Sequence, residues 1–173
     1  MVTTNYSADN PGEPEPQSRL GADGNAHRDR MALTDSAKAH WEVPTLIDIP
    51  VIRADRGAIG VVEKDIPFPF ELKRVYYLFD VPSNGVRGSH AHKALHQLII
   101  AISGSFRVDL QDGKTTRQFL LSSPDQGLTV PPGYWRTLND FSSGSAALVF
   151  ASDEYDPEDY IRDFDEFQAW ANS

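Results

Sequence analysis

Cysteine is absent from this 173-residue chain, which removes disulfides, thiolate metal sites and cysteine nucleophiles together. Long apolar runs are missing too. The longest, around Leu98–Ile102 and Ala146–Ala151, fall far short of the ~20 residues a membrane span needs. No cluster of lysine or arginine offsets the formal charge of −9, which argues against nucleic acid or an anionic membrane as partner. Met1–Asn10 has no basic stretch leading into an apolar block, so no secretory signal is expected and a soluble, cytoplasmic protein is.

The acidic surplus lies at the two ends. Residues 1–40 carry 4 basic and 6 acidic side chains, residues 41–152 carry 11 of each, and residues 153–173 carry 1 and 8. The neutral middle is where a core is expected. Residues 1–40 have few large aliphatics, and Pro11, Pro14 and Pro16 crowd together, so a disordered tail is predicted there. The folded domain then spans 41–173.

Short β segments with turn punctuation fill that domain. Val75–Phe79, Gln97–Ser103, Phe119–Leu121, Leu128–Val130 and Ala146–Ala151 read as strands. Phe106–Leu110 alternates strictly, with Phe106, Val108 and Leu110 inward, and Asp112-Gly113 signals a hairpin. Many strands without intervening helices predict an all-β sandwich or barrel. The period changes at the C-terminus. Asp156 can cap a helix, Pro157 suits its first position, and Tyr160, Ile161, Phe164, Phe167 and Trp170 recur at helical spacing, predicting a helix over 157–171. Its acids fit a helix dipole and solvated face better than a calcium loop, which Pro157 would interrupt.

Three of the five histidines, His90, His92 and His96, fall within R-G-S-H-A-H-K-A-L-H-Q. On one strand they would share a face that continues into Leu98, Ile100 and Ile102, pointing inward. His96 alone reads as a packed core residue, whereas His90 and His92 together read as functional. Imidazoles near pKa ~6.5 suit proton transfer at neutral pH. H-x-H is also the first half of a cupin metal site, whose second half would be P-x-G-x-x-H. Here Pro131-Pro132-Gly133-Tyr134-Trp135-Arg136 ends in arginine, a donor-only cation that cannot ligate a metal. No metal or cofactor is therefore expected, although both motifs support a cupin-type jelly roll. Arg56, Arg74, Arg87 and Arg136 together could clamp a diphosphate. Tyr76 and Tyr77 alternate, so only one can face a cavity.

Four motifs in order, K-R-V-Y-Y-L-F-D-V-P, R-G-S-H-A-H-K, P-P-G-Y-W-R-T-L-N-D-F-S-S and A-S-D-E-Y-D-P-E-D-Y-I-R-D-F-D-E-F, resemble the nucleotide-sugar 3,4-ketoisomerases. These are WxcM-like cupins acting on dTDP-4-keto-6-deoxyglucose, and the likeness covers about residues 47–168. The resemblance implies a metal-free jelly-roll homodimer with exchanged N-terminal strands that moves the keto group from C4 to C3. It implies His90 and His92 as catalytic acid/base residues; the chemistry of a keto shift then assigns His92 as the base at C3 and His90 or a nearby tyrosine as the proton relay. It implies Arg56, Arg74, Tyr76, Tyr77 and Arg87 as the lining of the nucleotide-sugar site, beside Arg136. The chain differs from common members at Arg136 (usually histidine), at His96 (often glutamate) and at Ser89 (bulkier), which bears on the stereochemical outcome. Three rivals remain open: a nucleotide-sugar 3,5-epimerase, a metal-dependent cupin oxygenase and a non-catalytic sugar-nucleotide binding module.

Overall fold

The computed structural model describes residues 41–64, 67–68 and 70–173, so the expected tail over 1–40 lies outside the described residues. The strands are β1 (Thr45–Asp48), β2 (Val51–Ala54), β3 (Gly57–Gly60), β4 (Glu63–Lys64), β5 (Pro67–Phe68), β6 (Arg74–Leu78) and β7 (Arg87–His92). They continue with β8 (Gln97–Ser103), β9 (Phe106–Gln111), β10 (Thr116–Leu121), β11 (Gln126–Val130), β12 (Trp135–Asn139), β13 (Ala146–Ala151) and β14 (Tyr160–Ile161), before helix α1 (Phe164–Ala171).

Two five-stranded antiparallel sheets, ordered β1-β11-β8-β13-β6 and β10-β9-β12-β7-β14, pack face to face as the expected cupin-type jelly roll. Ile99, Leu128, Val130 and Val149 of the first sheet meet Phe106, Val108, Leu110 and Leu138 of the second in one core. The alternation read along Phe106–Leu110 is the observed burial of β9. The Asp112-Gly113 signal marks the β9–β10 hairpin. Asp112 Oδ1 accepts from the backbone N–H of Lys114 and of Thr115, closing the turn, while Gly113 takes φ +90°.

One expectation fails between His92 and Gln97. The three histidines do not share a face running into β8, because Lys93–His96 turns the chain from the second sheet to the first. Gln97, Ile99 and Ala101 are the residues of β8 that look into the barrel. Leu98 and Ile100 lie on the outer face under Trp41 and Ile49, and Ile102 is exposed. His96 joins that outer side, with ring centroids 6.5 Å from Trp41 and 6.2 Å from Phe70.

The helix expected over 157–171 is also broken. Pro157–Asp159 forms a single 3₁₀ turn that Asp156 caps, accepting from the Glu158 N–H. Tyr160 and Ile161 then extend and pair with β7. The helix starts only after Asp163, a second cap that accepts from the Glu166 N–H. An unpaired edge on β7 and a second capping aspartate together outweigh helical periodicity. Phe167, fully buried, packs α1 against Ala91 and Ile161, so the helix backs the strand that carries the histidines. Phe167→Ala should cost about 3–5 kcal/mol of unfolding free energy. Urea denaturation within 1 kcal/mol of wild type would contradict that role of the helix.

Candidate active site

The site begins at an irregularity. β12 pairs with β7 through Arg136↔His90 and then Thr137↔Gly88, leaving Ser89 as an extra residue on β7. Gly88 (φ +82°) and Ser89 (φ +54°) both take positive φ, forming a bulge that turns the Gly88 carbonyl back toward the next side chain. His90 Nδ1 lies 3.0 Å from that carbonyl oxygen. A carbonyl can only accept, so His90 carries its proton on Nδ1 and presents a bare Nε2. Gly88 also cannot be enlarged, since a Cβ there would stand 2.8 Å from the Arg136 carbonyl oxygen.

His92, two residues on, shares the face of His90, with ring centroids 4.9 Å apart at 88°. Its Nδ1 is 2.7 Å from Asp159 Oδ2, and its Nε2 is buried without a protein partner. Tyr160, opposite His92 on β14, lays its ring 4.2 Å from His92 and 4.9 Å from His90. The Arg162 guanidinium caps that ring at 4.2 Å.

Arg136 closes the chamber from β12. It is buried at 2% exposure, donates from Nη1 to Gln97 Oε1, and donates from Nη2 to the Tyr134 carbonyl at 3.1 Å. Gln97 passes the contact on, donating from Nε2 to the Tyr76 hydroxyl at 2.7 Å. That leaves the Tyr76 hydroxyl hydrogen free to donate inward, and burial holds its phenol above the usual range. Arg74 lies with its guanidinium carbon 5.5 Å from the Tyr76 ring and 5.8 Å from the Tyr155 ring. Buried nitrogens without a protein partner include Arg74 Nε, Arg136 Nε and His92 Nε2.

Burial and this positive charge act together on the imidazoles. Desolvation first, then Arg136, holds the pKa of His90 down to about 4. The same two causes, then His90, Arg74 and Arg162, push His92 lower still. Burial lowers Arg136 only to about 10, so it stays a cation beside two neutral bases. The acidic cleft of about 350 Å³ behind Asp159, lined by Asp153, Glu154 and Asp156, would repel a polyphosphate, whereas the arginine side attracts one.

Of the residues singled out by sequence, the fold brings together His90, His92, Arg74, Tyr76 and Arg136. Tyr77 points outward and contacts Phe79, with ring centroids 5.6 Å apart. Arg87 is exposed at the start of β7, and Arg56 is exposed at the tip of the β2–β3 hairpin, which pairs with no third strand among the described residues. Sequence reasoning missed Asp159, Tyr160, Arg162 and Gln97. Asp159 falls among the acids of the expected helix, and only the pairing of β14 with β7 reveals its use.

Residues 42–172 match the family model described as FdtA: WxcM-like, C-terminal. The chain belongs to this family. Over 125 residues it is 42% identical to a TDP-4-oxo-6-deoxy-alpha-D-glucose-3,4-oxoisomerase of Aneurinibacillus thermoaerophilus, covering 72% of this chain and 90% of that one. Among solved structures, it resembles a His-to-Asn variant of the 3,4-ketoisomerase QdtA from Thermoanaerobacterium thermosaccharolyticum in complex with TDP-4-keto-6-deoxyglucose. That match has a TM-score of 0.73 at 36% identity, over 75% of this chain and 94% of the other. The TDP-quinovose 3,4-ketoisomerase WlaRB of Campylobacter jejuni is 44% identical, with a TM-score of 0.70 over 73% and 97% of the two chains.

The WxcM-like site carries a consequence for acid stability. The unfolded chain binds a proton on His90 near pH 6.5, but the folded chain only near 4, so the stability gained by keeping it neutral is present above 6.5. It is lost as pH falls toward 4. His90→Gln should flatten the decline in urea-unfolding free energy between pH 7 and pH 5, and an unchanged slope would overturn this assignment.

Proposed function

We propose that this protein is a cytoplasmic, homodimeric dTDP-sugar 3,4-ketoisomerase that moves the keto group of dTDP-4-keto-6-deoxyglucose from C4 to C3 without a metal or cofactor. The observation that carries the reading is the His90–His92 pair, two neutral imidazoles side by side with both Nδ1 atoms engaged. The relatives' reported activities and the TDP-4-keto-6-deoxyglucose complex of QdtA support the same substrate class.

A keto shift between neighbouring carbons moves two protons. One leaves C3 and returns at C4; the other leaves the C3 hydroxyl and ends on the C4 oxygen. His92, the more enclosed base, is assigned the carbon proton, taking it on Nε2. His90 or the neighbouring Tyr160 hydroxyl relays the oxygen proton. Electrons from the C3–H bond form the C3=C4 enediolate, and Arg136 with the Tyr76 hydroxyl offers donors to its oxygens. Arg74 and Arg162 supply positive charge for the diphosphate. A metal is disfavoured because Arg136 stands where a metal cupin would place its last histidine, and a guanidinium has no lone pair to give.

The dimer rests on unsatisfied surface. Val75 and Tyr77 project from edge strand β6 and Phe79 directly follows it, with Tyr77 64% and Phe79 59% exposed. Ile52 and Ile59 are exposed on the two-stranded β2–β3 hairpin, which Arg53 ties to Asp125 at 3.0 Å. Apolar surface of this kind calls for a cover. Exchange of the N-terminal strands would supply one and would carry Arg56 to the other copy's site. Tyr77→Arg should shift the light-scattering mass from twice 19.2 kDa toward 19.2 kDa.

The function is tested by incubating purified protein with dTDP-4-keto-6-deoxyglucose and following the product by NMR. Wild type should form the 3-keto sugar in the presence of EDTA, while His92→Asn and His90→Asn each lose at least about a hundredfold in kcat. Full activity in both variants rejects the site. Deuterium uptake at C5 in D₂O would instead favour a 3,5-epimerase, and binding without turnover a non-catalytic module.

A further inference from the structure

Strand β14 lies against β7 with Tyr160 opposite His92 and Ile161 opposite Ala91, and this pairing delivers the preceding residue, Asp159, to the rim of the His92 ring. Every acceptor of Asp159 is then committed to the histidine strand or its turn. Oδ2 takes the Nδ1–H of His92 at 2.7 Å, Oδ1 takes the Ala94 N–H at 2.7 Å, and the backbone carbonyl takes the Lys93 N–H at 2.9 Å. Lys93 Nζ adds a bond to the Glu158 carbonyl at 2.8 Å. Two fixed oxygens leave the carboxylate no freedom to rotate away from the ring.

Among the described residues, the charges that act most on the His92 ring besides Asp159 are positive or can become so: Arg136 on β12, His90 on its own strand, Arg74 on β6 and Arg162 after β14. The neutral Tyr160 ring covers it. A proton arriving on Nε2 therefore creates a cation among three arginines, and among the described residues Asp159 is the anion bonded to that ring.

We infer that Asp159 is a positioning residue for His92, holding its proton on Nδ1 so that Nε2 stays available as the base, and balancing the imidazolium formed when Nε2 takes the substrate proton. This rests on the ketoisomerase reading for the substrate step, but the tautomer itself does not. With an amide in place of the carboxylate, the NH₂ can donate to Nδ1, moving the ring proton onto Nε2 and blocking the base.

Two measurements decide it. In the full chain labelled with ¹⁵N-histidine at neutral pH, long-range ¹H–¹⁵N spectra should show His92, assigned by its disappearance in His92→Asn, as the Nδ1–H tautomer. An Nε2–H tautomer in wild type overturns the inference whatever the enzyme's activity. With dTDP-4-keto-6-deoxyglucose, Asp159→Asn should lower kcat by about a thousandfold while KM moves by less than about threefold, and Asp159→Glu should recover part of the loss. Unchanged kcat in Asp159→Asn also overturns it. If wild type turns over no substrate, the functional reading fails, and the tautomer in wild type still decides the role of Asp159.

Discussion

A guanidinium buried inside a β-barrel constrains whatever surrounds it. Arg136 keeps its proton at neutral pH while buried, so its neighbours must supply acceptors and tolerate its field. Gln97 and the Tyr134 carbonyl supply the acceptors. The histidines tolerate the field by staying neutral. Tyr76 is fixed in turn through Gln97, so the donors and bases of the chamber are arranged around one charge that does not move.

The same charge separates this site from a metal cupin on the same fold. In a metal site the cation is bound and the protein provides lone pairs. Here the cation is covalently part of the chain, and the imidazoles within reach of its field stay neutral. Under the proposed function, both arrangements stabilise negative charge developing on a sugar oxygen, but only the second leaves the histidines free to move protons.

Much of the fold was legible where the signal was local. The strict alternation of Phe106–Leu110, the Asp112-Gly113 turn and the strand at Ala146–Ala151 needed no partner to be read. So did the pairing of His90 with His92, two residues apart. What escaped reading depended on partners distant in sequence. Asp159 lies 67 residues from His92, and its carboxylate looks like any first-turn acid until β14 is seen to pair with β7. His96 follows the histidine pair closely in sequence, yet the turn at Lys93–Leu95 sends it to the other sheet. The periodicity of Tyr160–Trp170 was genuine but shared between a strand and a helix, with Asp163 dividing them.

The extra residue at Ser89 does more than aim a carbonyl. Arg87 and His90 are three positions apart, an odd separation that in an unbroken strand would set them on opposite sides. Across the bulge, Arg87 stands opposite Leu138 and His90 opposite Arg136, residues two apart on β12. The insertion changes the parity of β7, so Arg87 and His90 belong to one side of the sheet. A one-residue irregularity thus moves a position that simple alternation would send to the other face onto the side of the sheet that carries His90.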